Sequence, residues 1–145
     1  MLKEHISEII EKTLKKINLY SDEAHALILA TGQVESRYKY LKQIKGPALG
    51  FFQMEPATMR DILDNYVAYR SKYKNALLEL GLDYNNLEFC LMTNIAIQVA
   101  LCRLHYRRVP SPLPKTLKEM AVYWKSYYNS HLGKGTVEKF IKDNS

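Results

Sequence analysis

The sequence predicts a mainly α-helical fold, and three observations support that prediction. Apolar residues recur at helical spacing along most of the chain, helix-capping residues precede several of these segments, and strand-like patterns are confined to 38–53. With 145 residues and 47% hydrophobic side chains, the chain can bury a substantial core. We therefore expect one domain over residues 1–145, without internal repeats or low-complexity linkers.

The first helices are predicted from their apolar faces and their caps. Six residues near the N-terminus fall on one helical face: Leu2, Ile6, Ile9, Ile10, Thr13 and Ile17. Ser21 is a good N-cap and is followed by two acidic residues, which favours a helix over 21–37. Pro56 suits the first turn of a short helix that reaches Leu63.

Four more helices are expected in the second part of the chain. Their spans are 66–80, 87–108, 116–128 and 136–143. Gly81 would end the first of them, and the proline-rich run 109–114 would end the second, which is mostly apolar and is expected to be the buried central helix. Thr116 and Glu119 have the spacing of a capping box at the start of the third.

Glu35 is a carboxylate in a helix that should carry apolar side chains. At about 100° per residue, Ala24, Ile28 and Thr31 lie on the same stripe. A carboxylate on such a stripe loses hydration, which raises its pKa and can keep it protonated near neutrality. This is the property that a general acid needs, whereas a solvated surface glutamate is the commoner alternative.

Three short motifs follow one another from this point. They are Glu35-Ser36, then Ala48-Leu49-Gly50 with Gln53, then Pro56-Ala57-Thr58. In this order and spacing they resemble the soluble lytic transglycosylases, the goose-type lysozyme-like branch of the lysozyme superfamily. The similarity is firm over 24–63 and thinner beyond. It implies a single lysozyme-like domain with a small β-hairpin or irregular segment after the catalytic helix.

The resemblance also implies roles for the motif residues. Glu35 would be the catalytic acid and base, and Ser36 and Gln53 would orient it or hold the substrate. Gly50 would let the backbone approach the sugar. The glycine-containing block could instead be a simple connector, because glycine and proline mark turns in many proteins.

A later Ala-Tyr-Asn element of the family has its counterpart here at 120–125. The alanine and an aromatic residue are present, but the asparagine is missing, so no role is carried over to Trp124 or Lys125. Tyr123 is the residue of this element that we expect to hydrogen-bond near Glu35 or to the substrate.

The number of available carboxylates bears on the reaction. A retaining glycosidase needs a second carboxylate about 5 Å from the first, and an inverting one needs a base farther away. Glu55, Asp61 and Asp64 lie near the motifs, but none is a convincing partner. Lytic transglycosylases use one glutamate, so the resemblance implies non-hydrolytic cleavage of the β-1,4 bond between N-acetylmuramic acid and N-acetylglucosamine in peptidoglycan. Hydrolysis by the same glutamate, as in a muramidase, remains open.

Positive charge is concentrated near the C-terminus. Residues 1–102 hold twelve basic and twelve acidic residues, whereas 103–145 hold nine and three, which accounts for the net charge of +6. The main contributors are Arg103, Arg107, Arg108, Lys115, Lys118 and Lys125. Such a stretch could bind an anionic wall, a membrane surface or nucleic acid, or be a solvated face. A catalytically inactive virion or nucleic-acid-associated binding protein on the same scaffold is therefore a second hypothesis.

Neither a metal nor another cofactor is expected. The four histidines show no ligand spacing, and Cys90 and Cys102 fall on one predicted helix about 18 Å apart, too far to pair. The N-terminus does not resemble a signal peptide, and no apolar run approaches the roughly 20 residues of a spanning helix. We expect a phage-encoded protein that reaches the bacterial wall or periplasm through a membrane pore or in the virion.

Overall fold

The computed structural model describes residues 2–129 and 133–145, and it is mainly helical, as expected. The α-helices are α1 Lys3–Lys16, α2 Asp22–Ser36, α3 Pro56–Asn65, α4 Ser71–Glu79, α5 Leu87–Thr93, α6 Ile95–Arg107, α7 Leu117–Trp124 and α8 Val137–Asp143. A 3-10 turn, Val67–Tyr69, precedes α4, and a π-helix, Lys125–Asn129, directly follows α7. These described ranges contain no β-strand.

The core is built around α6. This helix packs against α1, α2 and α3, and its central residues, from Val99 to Cys102, are fully buried. The face expected on α1 is buried at Ile6, Ile10 and Thr13, while Leu2 is 62% exposed. A second cluster joins the C-terminal half of α2 to α7 and α8 through five buried residues: Ala30, Val34, Ala121, Trp124 and Phe140.

The single helix expected over 87–108 is wrong. The chain forms α5 and α6 instead, and their axes bend by 101° at Asn94. The Asn94 side chain accepts a hydrogen bond from the Ile97 amide at 3.0 Å and donates one to the Leu80 carbonyl at 2.9 Å, so it caps α6. Cys90 and Cys102 therefore lie on different helices, and both are buried and unpaired.

This bend also bears on membrane insertion. Within the described part of the chain, no helix alone has the length and hydropathy of a membrane span, and only the bent α5 and α6 pair reaches them together.

Two other expected helices differ from the structure. The span 66–80 begins as the 3-10 turn, because the extended backbone at Arg70 separates that turn from α4. The span 116–128 is α-helical only as far as Trp124, where the π-helix begins. The capping box of Thr116 and Glu119 is present, as predicted.

The segment between α2 and α3 takes the irregular form of the two that were expected. It has two isolated antiparallel bridges, Lys42 with Leu49 and Leu49 with Met54. Leu49 and Met54 exchange backbone hydrogen bonds of 2.9 and 3.1 Å, and the Gly50 amide donates to the Leu41 carbonyl at 2.8 Å. These bonds fold the segment into a compact loop, which we call the 38–54 loop.

Candidate active site at Glu35

Glu35 lies in the last turn of α2, a helix with well-defined ends. Ser21 caps its start by accepting the Ala24 amide at 3.0 Å, and Arg37 ends it in a left-handed conformation, with φ of 54°. The expected stripe is confirmed in part. Ala24, Ile28 and Thr31 are fully buried, whereas Glu35 is partly exposed. The carboxylate therefore stands where the buried stripe reaches the surface.

The surroundings of Glu35 raise the pKa of its carboxyl group. Burial raises its pKa from 4.5 to about 7, although two neighbours oppose this change. Trp124 Nε1 donates a hydrogen bond to Oε2 at 2.9 Å, and the Lys139 ammonium group acts through its charge. Both favour the carboxylate, but desolvation is the larger effect. Near neutral pH, Glu35 can therefore exchange a proton in either direction.

Trp124 is fixed by its packing. It is the last residue of α7, it is 1% exposed, and its ring lies 5.3 Å from that of Phe140 in α8. A side chain at Gly135 would collide with the indole ring, so glycine leaves the room that the tryptophan needs. Its N–H group is therefore aimed at Glu35 by the second cluster of the core.

Within this element, Trp124 rather than Tyr123 is the hydrogen-bond partner of Glu35, whereas a contact of Tyr123 with the substrate stays a prediction. Tyr123 does not donate to Glu35; its hydroxyl group donates to the Ser111 carbonyl at 3.4 Å, and its ring packs against Tyr106 and Tyr127. Successive helical residues point about 100° apart, so only one of two neighbours can face Glu35. An indole N–H one residue after the aligned tyrosine was the available signal.

Ser36 connects α2 to the 38–54 loop. Its hydroxyl group is buried, donates to the Phe51 carbonyl at 2.7 Å and accepts the Tyr38 amide at 3.1 Å. The next carbonyl of the loop, that of Phe52, accepts a hydrogen bond from Tyr128 at 2.6 Å. Two adjacent carbonyls of the loop are thus held from α2 and from the π-helix, which places the loop beside Glu35.

Gly50 and Gln53 shape the turn of that loop. Gly50 has φ of +78°, and a Cβ atom there would lie 2.7 Å from the Leu91 carbonyl oxygen and 2.9 Å from the Gln98 side chain. The close approach at Gly50 is therefore to α5 and α6. Gln53 Nε2 donates to the Gly50 carbonyl at 2.8 Å, and the Gln53 side chain is partly exposed.

Several buried polar side chains lie behind Glu35. The Thr31 and Tyr106 hydroxyl oxygens are 2.9 Å apart, and burial raises the pKa values of Tyr106, Tyr128 and Cys102. The charge of Glu35 adds to each of these increases, so all three groups stay neutral around it. Neutral neighbours cannot compensate an ionised Glu35, which is consistent with its raised pKa.

The six C-terminal cations do not form a single patch, which corrects the sequence-based expectation. Arg103 is 7% exposed, and its Nε donates to the Leu19 carbonyl at 3.2 Å. Lys125 Nζ is bonded to Asn129 Oδ1 at 2.8 Å and to the Gly133 carbonyl at 3.0 Å. The others separate into two clefts, one with Arg107 and Arg108, the other with Lys115 and Lys118.

Neither metal-binding groups nor similarity to known proteins adds a function for this site. The described residues contain no group of three or more histidine, cysteine, aspartate or glutamate side chains that could hold a metal ion. Comparison with protein-family models, with curated proteins and with solved structures finds no match to this chain. The chemistry of the Glu35 site and the motifs around it are therefore the basis for a function.

Proposed function

We propose that the protein cleaves the β-1,4 bond between N-acetylmuramic acid and N-acetylglucosamine in peptidoglycan glycan strands, on a single lysozyme-like domain. The observation that carries the proposal is the partly buried Glu35 carboxyl, with a pKa of about 7 and an N–H donor at 2.9 Å. The order of motifs around it, from Ser36 to Thr58, supports the same reaction class.

One glutamate is enough for a reaction without water. Protonated Glu35 donates its proton to the glycosidic oxygen as the bond to C1 breaks, and the substrate's own N-acetyl group can stabilise the cation. The resulting carboxylate, favoured by Trp124 and Lys139, then takes the proton of the muramyl 6-hydroxyl as that oxygen bonds to C1. The 1,6-anhydro ring closes and Glu35 is protonated again.

The engagement of other carboxylates supports the single-glutamate route. Asp61 accepts hydrogen bonds from Asn65 at 2.7 Å and from Arg108 at 2.8 Å. Asp143 is bound by Lys139 at 2.6 Å and by Arg37 at 3.2 Å. Among the described residues, Lys139 is the charged group that shifts the pKa of Glu35. No other carboxylate among them shifts this pKa.

Two measurements on purified cell walls test the proposal. Loss of turbidity tests cleavage, and a protein that leaves the walls intact would contradict it. Mass spectrometry of the products tests the route: we expect 1,6-anhydromuropeptides, about 18 Da lighter than hydrolytic products. Muropeptides with reducing ends would instead assign a muramidase that activates water with the same Glu35.

A further inference from the structure

A basic cleft of about 690 Å³ lies between the start of α4 and the end of α6. It is named here the Tyr66 cleft. None of its lining residues in the described part of the chain is acidic. Four cationic side chains line it: Arg70, Lys72, Arg107 and Arg108. None of the residues around Glu35 lines it, so it is a separate surface of the molecule.

Arg70 is held in place by the protein itself. Its guanidinium carbon lies 3.8 Å from the centroid of the Tyr66 ring, and its Nη1 donates to the Tyr66 carbonyl at 2.9 Å. A guanidinium group has five N–H donors, and this contact uses one of them. The others have no partner among the described residues, so Arg70, which lines the cleft, keeps donors for an anion bound there.

The charge of the cleft is largely uncompensated. Asp61 pairs with Arg108 at 2.8 Å and neutralises one of the four cations. Lys72 and Arg107 are exposed and make no ion pair or side-chain hydrogen bond with any residue that the structure describes. Placing like charges together is unfavourable, and an anionic ligand would relieve that repulsion.

The aromatic residues of the cleft indicate which polyanion fits. Tyr66 is packed against Arg70 and stacked on Tyr73 at 6.2 Å, and both tyrosines pack against the core. Tyr69, by contrast, is 80% exposed. Single-stranded nucleic acid is usually bound on several free rings that stack successive bases. One free ring with several cations fits a chain of phosphates without bases better.

We propose that the Tyr66 cleft binds a phosphodiester polymer of the cell wall, a chain of polyol phosphates. Its phosphates would accept hydrogen bonds from Arg70 and form ion pairs with Lys72 and Arg107. The choice of a wall polymer rests on the proposed function, because in many bacterial walls polymers of this kind are attached to peptidoglycan. Since the cleft is separate from Glu35, the protein can hold the wall there and cleave glycan strands with Glu35 at the same time.

The test compares binding of two double variants to purified poly(glycerol phosphate), and to walls with and without their phosphate polymers. All proteins carry Glu35→Gln, so that walls are not digested. Lys72→Gln with Arg107→Gln removes two cleft charges but none of the contacts within the cleft. Lys3→Gln with Lys12→Gln on α1 is the control, because it removes the same charge, from +6 to +4 before the Glu35 change.

We expect the cleft variant to bind about tenfold more weakly at low salt, and the control to change little. The difference should vanish near 1 M salt, where the Debye length is about 3 Å. Equal binding by the two variants would overturn the proposal, because the charges would then be merely solvated. Tighter, cleft-dependent binding of oligodeoxythymidine would also overturn it, in favour of nucleic acid.

The outcome for the cleft is separable from that for cleavage. Binding that depends on the cleft, in a protein whose parent form clears no walls, would refute the cleavage proposal and leave the cleft assignment standing. Wall clearing by a protein whose cleft variant binds normally would do the reverse.

Discussion

Glu35 and Asp61 are carboxylates that the fold treats in opposite ways. Glu35 is partly buried with a single N–H donor, and burial raises its pKa to about 7. Asp61 is exposed, and hydrogen bonds from Asn65 and Arg108 lower its pKa. The first can hand over a proton near neutral pH, whereas the second stays ionised and only balances charge in the Tyr66 cleft.

The comparison teaches that burial, rather than residue type, decides what a carboxylate can do in this fold. At the end of α2, a poorly hydrated carboxyl group can perform acid and base chemistry. At the start of α4, hydrated cations can hold a polyanion. Perturbing each region should therefore change different observables.

The largest effect is expected for Glu35→Gln. This variant keeps the size of the side chain but removes the titratable proton, so wall clearing should fall at least ~100-fold, the usual scale for a general acid. Glu55→Gln is the matched control, because Glu55 is exposed and its side chain makes no capping hydrogen bond to α3. Near-normal clearing by Glu35→Gln in a turbidity assay would end the assignment.

The same variant shows whether lost activity reflects lost structure. Because burial raises the Glu35 pKa, the folded protein binds this proton more tightly, and its stability falls as the pH rises from 4.5 to about 7. Glu35→Gln avoids that loss, so above pH 7 it should be more stable than the parent by up to about 3 kcal/mol. Chemical unfolding at pH 5 and pH 9 measures this difference, and strong destabilisation at both would contradict the reasoning.

The next largest effect concerns Gly50. Because of its φ of +78° and the nearby Leu91 carbonyl, we expect Gly50→Ala to lower the free energy of unfolding by about 2–3 kcal/mol. Gly46→Ala is the control: a Cβ there meets the flexible end of Gln43, so the cost should stay below about 1 kcal/mol. Denaturant titration distinguishes the two. A stable but inactive Gly50→Ala protein would instead support close approach of this backbone to the sugar.

A smaller effect is expected for Trp124→Phe. The Nε1 hydrogen bond favours the Glu35 carboxylate, so its removal should raise the pKa and move the alkaline limb of the pH profile up by about one unit. Lys139→Gln should move it in the same direction by less, and salt should reduce that shift. Tyr123→Phe is the matched control and should leave the limb in place. A downward shift for Trp124→Phe would mean that water entry outweighs the lost hydrogen bond.

Periodicity and caps were sufficient to place Glu35 on α2. The buried stripe of α2 and the position of Glu35 on it follow from local spacing, and the structure confirms both the Ser21 cap and the burial of Ala24, Ile28 and Thr31. These features depend on residues close together in the sequence. The 38–54 loop was expected to be either a small β-hairpin or an irregular segment, and the structure has the irregular form.

Features set by distant contacts were not predictable. Asn94 interrupts an apolar run because its side chain also reaches Leu80, a contact between separate elements. The choice between Tyr123 and Trp124 as the partner of Glu35 depends on how α7 is rotated against α2, which local spacing does not specify. Arg103 counts as a cation of the C-terminal stretch in the sequence, but the packing of α6 buries it.

The anchoring of the 38–54 loop has a consequence for engineering. Adjacent carbonyls at Phe51 and Phe52 are bound by side chains from two other elements, so a shift by one residue would break both bonds at once. The tip at 44–47 is exposed on every residue. Inserted or randomised residues are therefore best tolerated at the tip, where a library could be built to vary what the loop touches without moving Glu35.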